Sequence, residues 1–149
     1  MALQEKLLTE MKTAMKSKDA VRLESLRAIK AALLLAKTEK SAGNELTEEE
    51  EIKIVQRLVK QRKDSAAIYK EQGRADLAEP EMAQAKIIES YLPEQLSEAE
   101  IEAVVERTIA DTNAEGMKDM GKVMGMVSKE LAGKADGKTI STIVKAKLQ

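Results

Sequence analysis

The sequence predicts an all-α protein, with an N-terminal domain of about four helices over residues 1–93 and a small three-helix C-terminal domain over 94–149. Three observations carry this. Apolar residues recur at three-and-four spacing almost from end to end, and they nowhere alternate for long enough to write a strand. Capping patterns stand where that periodicity starts. Pro93 stops the spacing in mid-chain, because a residue before proline is pushed out of the helical region.

In order along the chain, Leu3, Leu7, Met11, Ala14 and Met15 mark a first helix. Asp19 is placed to cap a second, whose inner face is Leu23, Leu26, Ile29, Leu33 and Leu34, and Ala42-Gly43-Asn44 is the expected stop. Thr47 followed by Glu50 forms a capping-box pattern at the head of a third helix, in which Ile52, Val55, Val59, Ala66 and Tyr69 hold a heptad-like seam as far as Gly73. This long helix is expected to pack lengthwise against the first two. Pro80 suits a first turn better than an interior, so a fourth helix is expected to start or kink there and to bury Ile87, Ile88 and Leu92. Beyond Pro93, Ser97 with Glu100 is a second capping box, opening a fifth helix with Ile101, Val104, Val105 and Ile109 inward and Gly116 at its end.

The last stretch carries two patterns on the same short helices. Met117, Met120, Met124, Val127 and Leu131 make an apolar stripe, while Lys118, Lys122 and Lys129 fall elsewhere on the circumference. After the turn residues Gly133, Asp136 and Gly137, a seventh helix turns Ile140, Ile143, Val144 and Leu148 inward and Lys138 and Lys145 outward, with Lys147 nearer the seam. The methionines read as unbranched filler between short helices.

A net charge of −1 conceals a reversal. From Glu94 to Gly116 a single base, Arg107, faces seven acids, a net of −6; from Met117 to Gln149 seven lysines face three acids, a net of +4. The chain has no Cys and no His, which removes disulfides, thiolate metal sites, the commonest general base and the usual activator of a Ser nucleophile. Aromatic content of 1% argues against reading unpaired bases by stacking. No apolar run approaches the roughly 18 residues of a membrane span and no leader pattern opens the chain, so the cytoplasm is the expected location.

The basic exterior of the last two helices suits contacts to phosphate. Gly121 and Gly125 each cost a helix interior about 1 kcal/mol relative to Ala, so something is expected to approach the backbone there, either a neighbouring helix or a phosphate or ribose. A second run, Arg57, Lys60, Gln61, Arg62 and Lys63 with Lys53 one turn earlier, reads as a solvated face, with a second basic binding strip as the alternative. Glu48 to Glu51 complements a helix dipole and is not read as a metal site. No phosphate loop is present, and no catalytic residue, metal ligand or cofactor is assigned.

Four segments together resemble a known family: Leu23 to Lys30 (L-E-S-L-R-A-I-K), Gln61 to Ser65 (Q-R-K-D-S), Tyr91 to Ser97 (Y-L-P-E-Q-L-S) and Asp119 to Gly137 (D-M-G-K-V-M-G-M-V-S-K-E-L-A-G-K-A-D-G). The chain resembles YqeY-type proteins, and over nearly its whole length the C-terminal helical region of the GatB subunit of tRNA-dependent amidotransferases. That resemblance implies a helical N-terminal domain joined to a small helical C-terminal one, and tRNA or another structured RNA as ligand, with Lys118, Lys122, Lys129, Lys134 and Lys138 in the matching motif as the expected phosphate contacts and Lys145 added on charge alone. It also attaches a carbon–nitrogen ligase activity with glutamine as amide donor. The part that activates substrate with ATP and the glutaminase are both missing here, so the expected role is a binding module without catalysis of its own. The alternative is an accessory protein docking on an amidotransferase or aminoacyl-tRNA synthetase.

Overall fold

The computed structural model describes residues 2–40 and 44–149, which form seven α-helices and one 3-10 turn, with no strand among the described residues. The helices are α1 (Ala2–Lys16), α2 (Ala20–Glu39), α3 (Glu48–Glu71), α4 (Ala75–Glu89), α5 (Glu98–Thr112), α6 (Met120–Glu130) and α7 (Gly137–Leu148), with the 3-10 turn at Met117–Asp119. They cluster into two compact units, Met1–Leu92 and Pro93–Gln149. None of these helices is long and apolar enough to cross a membrane.

The helix starts are set by local chemistry. Asp19 accepts from the Arg22 amide at 3.0 Å and caps α2. Thr47 and Glu50 close a reciprocal capping box on α3, and Ser97 and Glu100 close another on α5. The ends are less regular. Ala42 and Gly43, in the expected stop of the second helix, lie outside the described residues, and α2 ends at Glu39 with Lys40 as its C-cap. The fifth helix does not run to Gly116: Asn113 turns left-handed at φ 54° and ends α5 at Thr112.

In the first unit, Leu7, Leu26, Ile29, Leu33, Val55, Val59 and Ile88 share one core, and Leu3, Met11, Leu23, Tyr91 and Leu92 pack around it. Each such aliphatic side chain withdrawn from water contributes about 1.5–3 kcal/mol. Of the expected core residues, Met15 and Leu34 are 57% and 58% exposed, and Ile52, Tyr69 and Ile87 are half-buried outside this cluster.

The third helix also packs differently from the expectation. It runs chiefly along α4, while α1 lies on α2 and α2 bridges to α3 and α4. Small buried side chains, Ala66 on α3 and Ala78 and Ala85 on α4, explain why these two helices can come close. Helix α4 starts at Ala75 rather than at Pro80, which sits exposed in its second turn. The missing proline N–H leaves the Asp76 carbonyl without its helical partner, a cost water can offset on an exposed face.

In the second unit, Ile101 and Val105 from α5, Val123, Val127 and Leu131 from α6, and Ile140, Val144 and Leu148 from α7 form a separate core. Met120, Met124 and Ile143 pack against it half-buried, whereas Met117, expected on the inner stripe, is exposed. Val123, fully buried at the centre of the stripe, is not among the residues the spacing singles out.

Candidate nucleic-acid interface

The start of α6 is built by a backbone reversal. Gly116 adopts φ 114°, a conformation that disfavours a side chain, and the 3-10 turn Met117–Asp119 follows. Asp119 reaches back to accept from the Glu115 amide at 2.8 Å, which fixes this turn. From there the helical period does the rest. With Val123, Val127 and Leu131 facing the core, Lys118, Lys122, Gly125 and Lys129 recur at four, three and four residues on the opposite stripe, and all four are exposed. Lys122 and Lys129 stand about 10 Å apart along the axis at 1.5 Å per residue.

Helix α7 is capped by Asp136, which accepts from the Thr139 amide at 2.6 Å and from its hydroxyl at 3.0 Å. Lys138 in its first turn and Lys145, seven residues on, share one exposed flank by the same period. Between α6 and α7, Gly133 at φ 80° turns the chain and the exposed Lys134 follows it. The Lys134 carbonyl accepts from the Leu96 amide at 2.9 Å, and the Gln95 side-chain amide donates to the carbonyls of Gly133 and Pro93 at 2.6 and 2.9 Å.

The electrostatics separate the lysines into two groups. Lys147 binds Glu106 at 2.7 Å, and this hydrogen bond raises its pKa above the usual lysine value. Arg107 pairs with Glu130, and Lys118 approaches Glu115 at 3.6 Å with both side chains largely in solvent. Lys122, Lys129, Lys134, Lys138 and Lys145 have no carboxylate within 4.0 Å among the described residues. Glu106 on α5, Glu115 beyond its end and Glu130 on α6 thus take Lys147, Lys118 and Arg107, and the outer lysines of α6 and α7 are left without an ion pair among the described residues.

Gly121 and Gly125 are both exposed, and a Cβ built on either meets nothing within 4 Å. A neighbouring helix therefore does not account for them, contrary to one of the two expectations. Gly125 lies between Lys122 and Lys129 on the cationic stripe; Gly121 borders it.

The basic run on α3 is arranged otherwise. Lys53 pairs with Glu49, Lys60 with Asp64 and Lys63 with Glu89, while Arg62 donates to Gln84 at 3.0 Å. Among the described residues no group of three or more Asp or Glu side chains is placed to hold a metal ion.

The profile of the family described as Yqey-like protein matches residues 4–148. "Altered inheritance of mitochondria protein 41, mitochondrial" of Pyrenophora tritici-repentis is 30% identical over 132 residues, covering 87% of this chain and 71% of that protein. The protein of the same name from Meyerozyma guilliermondii is 35% identical over 124 residues, 81% of this chain and 64% of that one. A stretch of 74 residues, 47% of this chain, is 36% identical to a glutamyl-tRNA(Gln) amidotransferase subunit of Thermococcus gammatolerans, of which it spans 12%. With the match running over nearly its full length, the chain belongs to the Yqey-like protein family.

Proposed function

We propose that the second unit is a docking module for structured RNA, with tRNA as its ligand, and that it works without catalysis of its own. One observation carries the reading: five exposed lysines on α6, α7 and the turn between them lack carboxylate partners among the described residues, and Gly125 leaves the helix bare in the midst of them. A phosphate ribbon is the polyanion that suits them, because ammonium groups release counterions from it without needing a base edge or an aromatic platform. The stretch shared with a glutamyl-tRNA amidotransferase subunit supports tRNA as that polyanion. Lys118, Lys122, Lys129, Lys134, Lys138 and Lys145 make the contacts, and Gly121 and Gly125 admit the backbone closely. The cytoplasm is the compartment we assign, although the names of the Pyrenophora and Meyerozyma relatives put those proteins in mitochondria.

A salt titration of tRNA binding tests the proposal. Six phosphate contacts give a slope of log affinity against log salt of about −4 to −5. A slope near zero would end it.

A second reading rests on Glu98 and Glu102, which stay exposed on α5 with no Lys or Arg nitrogen within 4.0 Å among the described residues, the Glu102 charge acting on Lys147 only at longer range, and which suit a basic protein surface. Under it the chain is an accessory subunit of an amidotransferase or aminoacyl-tRNA synthetase, and its association with that enzyme survives ribonuclease. The glutamine-dependent carbon–nitrogen ligase activity of the larger relatives is assigned to this chain only if the purified protein amidates misacylated tRNA unaided.

A further inference from the structure

The first unit has an open groove that takes no part in the RNA reading. Leu7 and Leu33 are buried at its floor, and Leu8 and Leu34, 49% and 58% exposed, form its walls between α1 and α2. Its volume is about 190 Å³. That is below the roughly 300–1,000 Å³ of pockets that enclose a small ligand, and it matches one or two side chains entering from a neighbouring surface. Lys30 lines the groove, exposed and with no carboxylate within 4.0 Å among the described residues. Lys37 lines it too and is held by Glu45 at 3.0 Å. One turn beyond Leu8 on the same face of α1, Lys12 is likewise exposed and without a carboxylate partner among the described residues.

We propose that the α1–α2 groove docks an acidic amphipathic helix of a partner protein, whose leucine-like anchors enter between Leu8 and Leu34 and whose carboxylates meet Lys12 and Lys30. Two helices side by side with exposed leucines offer the ridge-and-groove surface into which a third helix lays an apolar stripe. Lys12 and Lys30 outnumber Glu5, the exposed acid one turn before Leu8 on the same stripe of α1, and favour acidic over basic flanks on the incoming helix.

The test uses a fluorescein-labelled synthetic helix of about five turns, with Leu at every third and fourth position and Glu on both flanks. The full-length protein should bind it saturably, and a peptide with Lys on the flanks should bind at least about tenfold more weakly. Leu34→Glu and Lys30→Glu should each weaken the acidic peptide by about tenfold or more. Both side chains are exposed, so helicity should persist, and Lys122→Glu with Lys129→Glu should leave peptide binding unchanged. Equal binding of the two peptides, or indifference to Leu34→Glu, overturns the proposal. So does protein that ignores both peptides but binds phosphatidylglycerol vesicles through Leu34, or that sediments as a dimer which Leu34→Glu dissociates.

Discussion

Two lysine-rich helix faces in this chain look alike on paper and differ in what surrounds them. On α3, Lys53, Lys60 and Lys63 each have a carboxylate at 2.8 to 3.4 Å, from Glu49, Asp64 and Glu89. On α6, Lys122 and Lys129 have none within 4.0 Å among the described residues, and glycine rather than a side chain stands between them. Exposed pairs of the first kind contribute little to stability, but they interleave negative charge with the lysines and weaken the field a polyanion would feel there. Lysine density therefore does not distinguish the two faces. The absence of interleaved acid does.

The largest effect should come from reversing the two faces in turn. Lys118→Glu, Lys122→Glu and Lys129→Glu together should lower tRNA affinity by about a hundredfold or more and flatten the salt slope by about two to three. The matched set Lys53→Glu, Lys60→Glu and Lys63→Glu changes net charge equally and should cost less than about threefold at physiological salt. Equal losses in a filter-binding assay would mean that total charge, and not its arrangement, governs binding.

Next comes Asp136→Ala, which removes the cap of α7 and should cost about 1 kcal/mol in chemical denaturation. It also removes an acid two residues from Lys138, so tRNA affinity should rise while stability falls. A parallel fall in both would show that α7 must be intact before its lysines count.

Gly125→Ala should stabilise the protein by about 0.5–1 kcal/mol, because the helix gains a better former and the new methyl meets nothing within 4 Å. Gly125→Leu should keep most of that gain yet weaken tRNA binding severalfold. Unchanged affinity would remove the glycine from the contact surface.

The smallest effects concern pH. The Lys40 side chain, and then the Thr47 amide, hold the Glu50 carboxyl below its ordinary pKa, so its contribution is present above that value and is lost as pH falls through the lowered one. Glu50→Gln should flatten the acid limb of a denaturation-midpoint profile. Glu106 raises the pKa of Lys147, so that contribution is present below the ordinary lysine value and is lost as pH rises through the raised one. Lys147→Met should flatten the alkaline limb and leave tRNA binding nearly unchanged, in contrast to the unpaired lysines.

What could be read in advance was what the chain decides within one or two turns. The caps at Asp19, Thr47 with Glu50 and Ser97 with Glu100 each act over three residues, and each forms. The inner positions Val127, Leu131, Ile140, Val144 and Leu148 follow from the helical period. Met117 and Val123 did not, because a 3-10 turn winds at three residues per turn and shifts the phase in which α6 begins. Asn113 ended α5 where Gly116 was expected, since asparagine also tolerates the left-handed region. The pairing of α3 with α4 rests on alanines whose value is their lack of bulk, which a search for large apolar residues passes over. On the candidate interface, lysine exposure was legible from phase. Which lysines are paired was not, because Lys147 meets Glu106 across 41 residues of sequence and Arg107 meets Glu130 across 23.

One backbone bond gives this interface a built-in reporter. The Leu96 amide is fastened to the carbonyl of Lys134, a residue whose side chain is proposed to touch RNA. Its exchange with deuterium should slow when that turn is clamped by a bound ligand, and quicken when the turn is loosened. A single amide upstream of α5 should thus report on the turn some forty residues further along the chain, without a label on the proposed contact surface.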